Sequence, residues 1–321
     1  MKRVLGYILT ALVFSSCVKE KSSDVFVPYP AAIDTLWTVP ITGRIENTAD
    51  KLFTPPPAEA VSVGTTGYDT ARFANNVAVC TAPGFCLQPN GNPVQGNVKI
   101  ELLQFSKKGD FIRYGKPSMN GDKLLDKQTI FRVKVTQYFE PMVLNEKSAM
   151  NIRCRTSLMN GHVSVFSGDT SINDVTAFSW EETPDAASPY DGVENNQLVF
   201  GYDVPCRKLG WISFGKQIDN SNGNKLAVIQ PVFCTNSNTA VYAVYKNQRT
   251  VLRLTPDANN RIFVANSIPA GAELLLVSIS YIGTKIYLGT TYFTMPSIAA
   301  AAKVKPVEVT KAQLSDFLDG L

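Results

Sequence analysis

The chain reads as mainly β, with two antiparallel β-sandwich-like modules followed by a short amphipathic C-terminal helix. Three observations predict this. Apolar and polar residues alternate with a period of two through most informative segments, clusters of turn residues separate those segments, and helical periodicity is confined to the C-terminal end. NVKIEL sets Val98, Ile100 and Leu102 on one face, and IFRVKV does the same with Phe131, Val133 and Val135. HVSVF and TAVYAVY repeat the pattern with Val163 and Val165, then Ala240, Tyr242 and Val244. The continuous run Leu274 to Val277 suits a central strand covered on both faces. The turns are QPNGNP, KKGD, MNGD, DNSNGN and the hairpin Ile282-Gly283-Thr284-Lys285. At the end, Thr310 and Gln313 fit a capping box, and Leu314, Phe317, Leu318 and Leu321 share one helical face.

Composition bounds the function. Of 321 residues, 45% are apolar and 10% aromatic, enough for a packed core and too many for wholesale disorder. A formal net charge of +4 without a basic run gives no reason to expect nucleic acid. One histidine and no C-x-x-C pair argue against a metal site, and no cofactor is expected.

The amino terminus carries an address. Lys2 and Arg3 precede an uncharged apolar stretch from Val4 to Phe14, shorter than the roughly 20 residues of a bilayer-spanning helix. Ser15 and Ser16 then lead to Cys17. This order resembles the lipobox of bacterial lipoproteins, with Phe14 where leucine is more usual. The resemblance implies cleavage before Cys17, two acyl chains on its thiol and acylation of the new amino terminus. The other reading is an ordinary secretory signal with an incidental cysteine. The expected organisation is a signal peptide over 1–16 and a lipidated tether over 17–38. A first β module over 39–205 and a second over 206–298 follow, and 299–321 holds a linker and the helix. TPDAASPYDG breaks the pattern near the proposed boundary, which could also be a long loop inside one larger sandwich.

Behind an inner membrane, thiols tend to oxidise. Cys80 and Cys86 flank a Pro83-Gly84 turn and are expected to bridge; Cys206 with Cys234 is the preferred second pair, and Cys154 lies in a strand-like stretch. The alternative is that all five are small buried apolar residues.

From Val77 to Leu125 a strand, the Pro83-Gly84-Phe85 turn, a Gly91-to-Gly96 hairpin, the strand Val98 to Leu102, an Asp110 loop and an Asn120-Gly121 turn follow in order. This resembles the first strands of the ZU-five β-domain of ankyrins and netrin receptors. It is more similar still to uncharacterised Bacteroidota lipoproteins, whose pattern includes VSVFSGDTSINDVTAFSW and LGWISFG. Where those relatives often carry Asn and Asp after the tryptophan, Ser213 and Phe214 stand here. The resemblance implies a sandwich used for protein contacts or support, and it transfers no catalytic residue.

Candidate chemistry is sparse. His162 sits in a turn and could pair with Cys154, Ser157 or Ser164, but no nucleophile elbow accompanies it. Asp169 and Asp174, with Glu181 and Glu182 beside Trp180, are what a glycosidase or glycan-binding site would use. Asp169, Asp174 and Trp180 are therefore kept as possible ligand contacts. The loop Asp219 to Asn224 is oxygen-rich, yet Gly223 and Gln230 stand where an EF-hand needs ligands, so a polar turn is preferred. Trp211 is expected in the core, and Tyr242 and Tyr245, on opposite strand faces, leave at least one exposed. The resulting expectation is a non-enzymatic binding or structural module, anchored to the outer membrane through an N-terminal lipid. It would face the cell surface or periplasm and contact another envelope protein or a glycan. The alternative is a glycan-binding protein or glycoside hydrolase of a carbohydrate-uptake system.

Overall fold

The computed structural model describes residues 37, 52–120, 123–168, 178–194 and 196–321. Cys17 with the lipobox and tether, and Asp169 and Asp174, lie outside the described residues. The described chain is mainly β, with several antiparallel sheets and one short C-terminal helix.

Two sheets form the first module. The larger runs, in spatial order, Glu59–Gly64, Asn97–Phe105, Lys123–Gln137, Gly210–Ile218, Ser164–Gly168 and Trp180–Ala186. The smaller runs Ser188–Glu194, Gln197–Pro205, Met150–Arg155, Val77–Thr81 and Asp69–Phe73. Their facing side chains make one core, with Val98, Ile100, Phe131 and Val133 meeting Val79, Ile152, Tyr202 and Val204. The second module packs Thr255–Asp257, Ile262–Ile268, Asn224–Ile229 and Ala300–Lys303 against Val251–Arg253, Thr239–Tyr245, Glu273–Ile282, Lys285–Thr294 and Val307–Val309. Here Leu226, Val228 and Phe263 meet Val241, Ala243 and Leu276. The pairing of Asn224–Ile229 with Ala300–Lys303 is parallel.

The strand Gly210–Ile218 was assigned to the second module by sequence. It hydrogen-bonds between Lys123–Gln137 and Ser164–Gly168, so the first sheet reaches past the 205/206 boundary.

A third apolar layer joins the modules. Leu103, Phe105, Leu125, Ile130, Phe166 and Trp180 lie on the outer face of the first large sheet, and Ala240, Tyr242, Val244, Val277 and Ile279 come from the second module. Period-two geometry explains the double use of each strand, because successive side chains face opposite layers. It also corrects one expectation. Both Tyr242 and Tyr245 are buried, since their strand is covered on both sides.

Two helical segments close this layer. KKGD, expected as a turn, opens the helix Lys108–Arg113, whose Phe111 and Ile112 are fully buried. The C-terminal helix Lys311–Asp319 has its capping box: the Gln313 N–H donates to Thr310 Oγ1 at 3.1 Å, and the Thr310 N–H to Gln313 Oε1 at 2.8 Å. Its Leu314 and Leu318 enter the inter-module layer. The two helices touch so closely that a Cβ on Gly109 would fall 1.8 Å from the Leu318 carbonyl oxygen. Arg113 fixes the contact, with Asp110 at 3.0 Å, Asp319 at 2.8 Å and the Ser315 carbonyl at 2.6 Å.

The expected disulfides do not form; Cys80, Cys86, Cys154, Cys206 and Cys234 are all free thiols. Alternation separates the first pair. Val77 and Val79 face the first core together with Cys86, whereas Cys80 points to the other side, near Thr70. The second pair is split between modules: Cys206 is in the first core, and Cys234 lies 3.5 Å from Ser280 Oγ in the second. Burial pushes the Cys86 thiol up to about 11 and Cys154 up to about 12, so neither is a ready nucleophile.

Candidate binding groove

A concavity of about 620 Å³ opens on the outer face of the first large sheet beside the inter-module layer. Its floor follows from strand alternation. Within Lys123–Gln137, Phe131, Val133 and Val135 point into the first core, which sends Arg132, Lys134 and Thr136 outward. Ile130 on that outward row is still covered by the second module, and the row emerges into solvent beyond it. Trp211 stands opposite Arg132 in the neighbouring strand.

Trp211 organises the cations. The Arg132 guanidinium lies 5.5 Å from the centre of its indole ring, and Lys116 Nζ lies 4.7 Å from it and 4.0 Å from the Phe178 ring. Phe105 stacks on the indole at 6.0 Å and Tyr114 on Phe105 at 4.3 Å, which anchors this assembly to the inter-module layer. Such ring contacts each contribute about 0.5–1 kcal/mol at a wet site, enough to hold a long cationic side chain in place. Glu101 opposes Lys134 across the strands, but no carboxylate is among the described residues that line the groove. Trp211, expected in the core, is half-buried and part of the groove wall.

A hairpin tip overhangs the groove. Gln137 pairs with Glu140, leaving Tyr138 and Phe139 as a two-residue loop with φ of 50° and 73°. Both central residues are left-handed, the pattern that normally selects Asn-Gly. For side-chain-bearing residues this costs roughly 1–2 kcal/mol each. Neither ring recovers it by packing, since Tyr138 is 90% and Phe139 98% exposed.

Trp180, kept from the sequence as a possible ligand contact, is enclosed. That indole is fully buried between the modules, its Nε1–H donating to the Pro117 carbonyl at 2.9 Å, so it cannot contact a ligand. Beside it is Lys127, also fully buried. Its Nζ donates to the Lys116 and Pro117 carbonyls at 3.0 and 3.1 Å and lies 4.6 Å from the Phe111 and Trp180 rings. Desolvation, aided by nearby Lys116, pushes its pKa well below the ordinary value. Lys127 is enclosed and serves the layer between modules.

Glu181 and Glu182 border a second groove of about 440 Å³ with Asp185 and Arg207. As neighbours on one strand their side chains leave opposite faces. Glu182 accepts from Ser164 Oγ at 2.6 Å and Gln217 Nε2 at 2.5 Å, and Asp185 pairs with Arg207 at 3.2 Å. Ser164 is thereby committed to Glu182. His162 is exposed in its turn, and Cys154 lies buried in the first core. Asp219 accepts from the Ser221 amide and hydroxyl at 3.1 and 2.7 Å, tying a polar turn as expected.

Sequence reasoning missed the groove. Lys116, Arg132, Lys134 and Trp211 come from three separate segments, and the Tyr138–Phe139 turn lacks any turn-forming residue. No protein-family model matches the chain, nor does any curated protein or solved structure.

Proposed function

We propose that the chain is a non-enzymatic binding module of the cell envelope, held at the outer membrane by acyl groups on Cys17, and that the Trp211 groove is its contact site for an acidic ligand. The observation that carries this reading is the lining of the groove. Arg132 and Lys116 are drawn onto one indole ring, Lys134 stands beside them, and the described residues that line the groove include no carboxylate, with Glu101 opposite Lys134 on the neighbouring strand. Preorganised cations on a rigid sheet lose little side-chain freedom when an anion arrives. The similarity of residues 2–17 to a lipobox supports the anchor, and the ZU-five-like segment order supports a sandwich that presents contacts rather than chemistry.

Two measurements test it. Titration with polyglutamate should show saltable binding that the double variant Arg132→Ala/Lys134→Ala weakens about tenfold, given roughly 0.5–1 kcal/mol per wet ion pair; equal affinity of both proteins would remove the groove from the reading. Cys17→Ser should release the protein from membranes after an alkaline wash, and continued membrane association would defeat the lipid anchor.

A further inference from the structure

We propose that the end of the first module bearing the Tyr138–Phe139 tip docks on an anionic bilayer surface. The two rings enter the interface, and Arg132 and Lys134 meet lipid phosphates. This deepens the reading of the Trp211 groove as an anion site and rests on it.

Three features at one end of the sandwich converge. The tip places two aromatic side chains in a backbone conformation that disfavours them, and neither is packed on the protein. Strain retained at an exposed tip points to a role outside the fold. Tyr68, 86% exposed, belongs to the same end. Its loop follows Gly64, which pairs with Asn97, and Gln137 Nε2 donates to the Asn97 and Gln95 carbonyls at 3.0 and 2.7 Å. The loop of Tyr68 and the tip thus flank the same connection. Finally, the cations of the groove lie just behind the tip, Lys134 and Arg132 being the outward residues next along the strand after Thr136.

A bilayer interface fits this set better than a soluble acidic partner. The rings project from a convex hairpin, so they need a medium that surrounds them. Tyrosine and phenylalanine partition into the interfacial zone with their apolar bodies inward. Cations set back from the tip then fall at headgroup level, where each adds to the attraction for anionic lipid. Three acids stand nearby, and Glu101 opposes Lys134 on the neighbouring strand. Asp69 accepts from the Gly64 and Thr70 amides at 2.9 and 2.7 Å, which turns its charge toward the backbone, while Glu140 is exposed beside Phe139.

The test uses the full chain incorporated into vesicles, with an environment-sensitive fluorophore on Glu140→Cys. The control is Ala74→Cys, in the turn joining Asp69–Phe73 to Val77–Thr81 at the opposite end of the module. The wild-type chain carried through the same labelling supplies the background. On phosphatidylcholine vesicles containing phosphatidylglycerol, the label at 140 should move to an apolar environment and the label at 74 should not. Tyr138→Ser/Phe139→Ser should abolish the change. Arg132→Ala/Lys134→Ala should lower the docked-to-undocked ratio about 30-fold. No change at 140, or equal change at both positions, overturns bilayer docking. If polyglutamate still binds the groove in that case, the anion site survives alone; if it does not, both readings fall.

Discussion

Replacing Trp180 with alanine is expected to lower the unfolding free energy by about 3–5 kcal/mol, the range for truncating a fully buried large aromatic. The indole does three things at once. It fills the layer between modules, meets Phe178 edge-on at 5.0 Å, and donates to the Pro117 carbonyl. It also gives one of the two ring faces against which Lys127 is held. Truncation opens a cavity beside a buried amine and removes one of its two ring contacts, leaving it the Phe111 ring and the Lys116 and Pro117 carbonyls. Urea unfolding of wild type and variant, followed by fluorescence, measures the loss. Trp180→Phe keeps most of the volume and loses the hydrogen bond, so it should cost nearer 1–3 kcal/mol. A loss below about 1 kcal/mol for the alanine variant would show that residue 180 does not hold the two modules together.

Arg113→Ala should be comparably damaging, about 3–5 kcal/mol, because it breaks a largely buried ion pair from one side. The Arg113 and Asp110 side chains are only 7% and 17% exposed, so Asp110 would be left with its charge and little water. Burial already raises the pKa of Asp110 despite Arg113 and Lys107, and removing the guanidinium removes the stronger of the two groups that oppose that rise. Asp319 and the Ser315 carbonyl would lose their partner too, and these are the links that seat the C-terminal helix on Lys108–Arg113. The expected signature is local as well as global. Hydrogen exchange should accelerate across 311–319 before the β core responds, since the helix is short and depends on docking rather than on its own propensity. Arg113→Lys should recover little, because one ammonium cannot span both carboxylates and the carbonyl as a guanidinium does. Unchanged protection of 311–319 in the alanine variant would mean that Leu314 and Leu318 alone seat the helix.

Much of the fold was legible because each informative strand states its own period. Val98, Ile100 and Leu102, or Ala240, Tyr242 and Val244, announce a buried face with no reference to any other segment. The capping box of Thr310 and Gln313 and the Gly283 turn are equally local. What could not be read is the second partner of each strand. TAVYAVY alternates by type, yet both of its faces are covered, and only the neighbouring module makes that true. The Cys80–Cys86 bridge fails for the related reason that proximity in sequence is not proximity in space. Cys80 and Cys86 are six positions apart but face different layers.

The candidate site divides the same way. Aromatic and acidic residues close together in sequence drew attention to Trp180, which the inter-module layer then buried. Trp211 looked like core because Leu209 and Ile212 flank it, but alternation turns it outward, where Arg132 and Lys116 lie against its ring. The sequence alone determined the strand periods, the helix cap and the resemblance of the first residues to a lipid-attachment signal, because these depend on contacts within a few residues. Tertiary structure alone decided which apolar faces are shared between modules, which thiols stay apart, and which cations gather at one indole. Those outcomes depend on how sheets stack, a long-range choice that no single segment encodes.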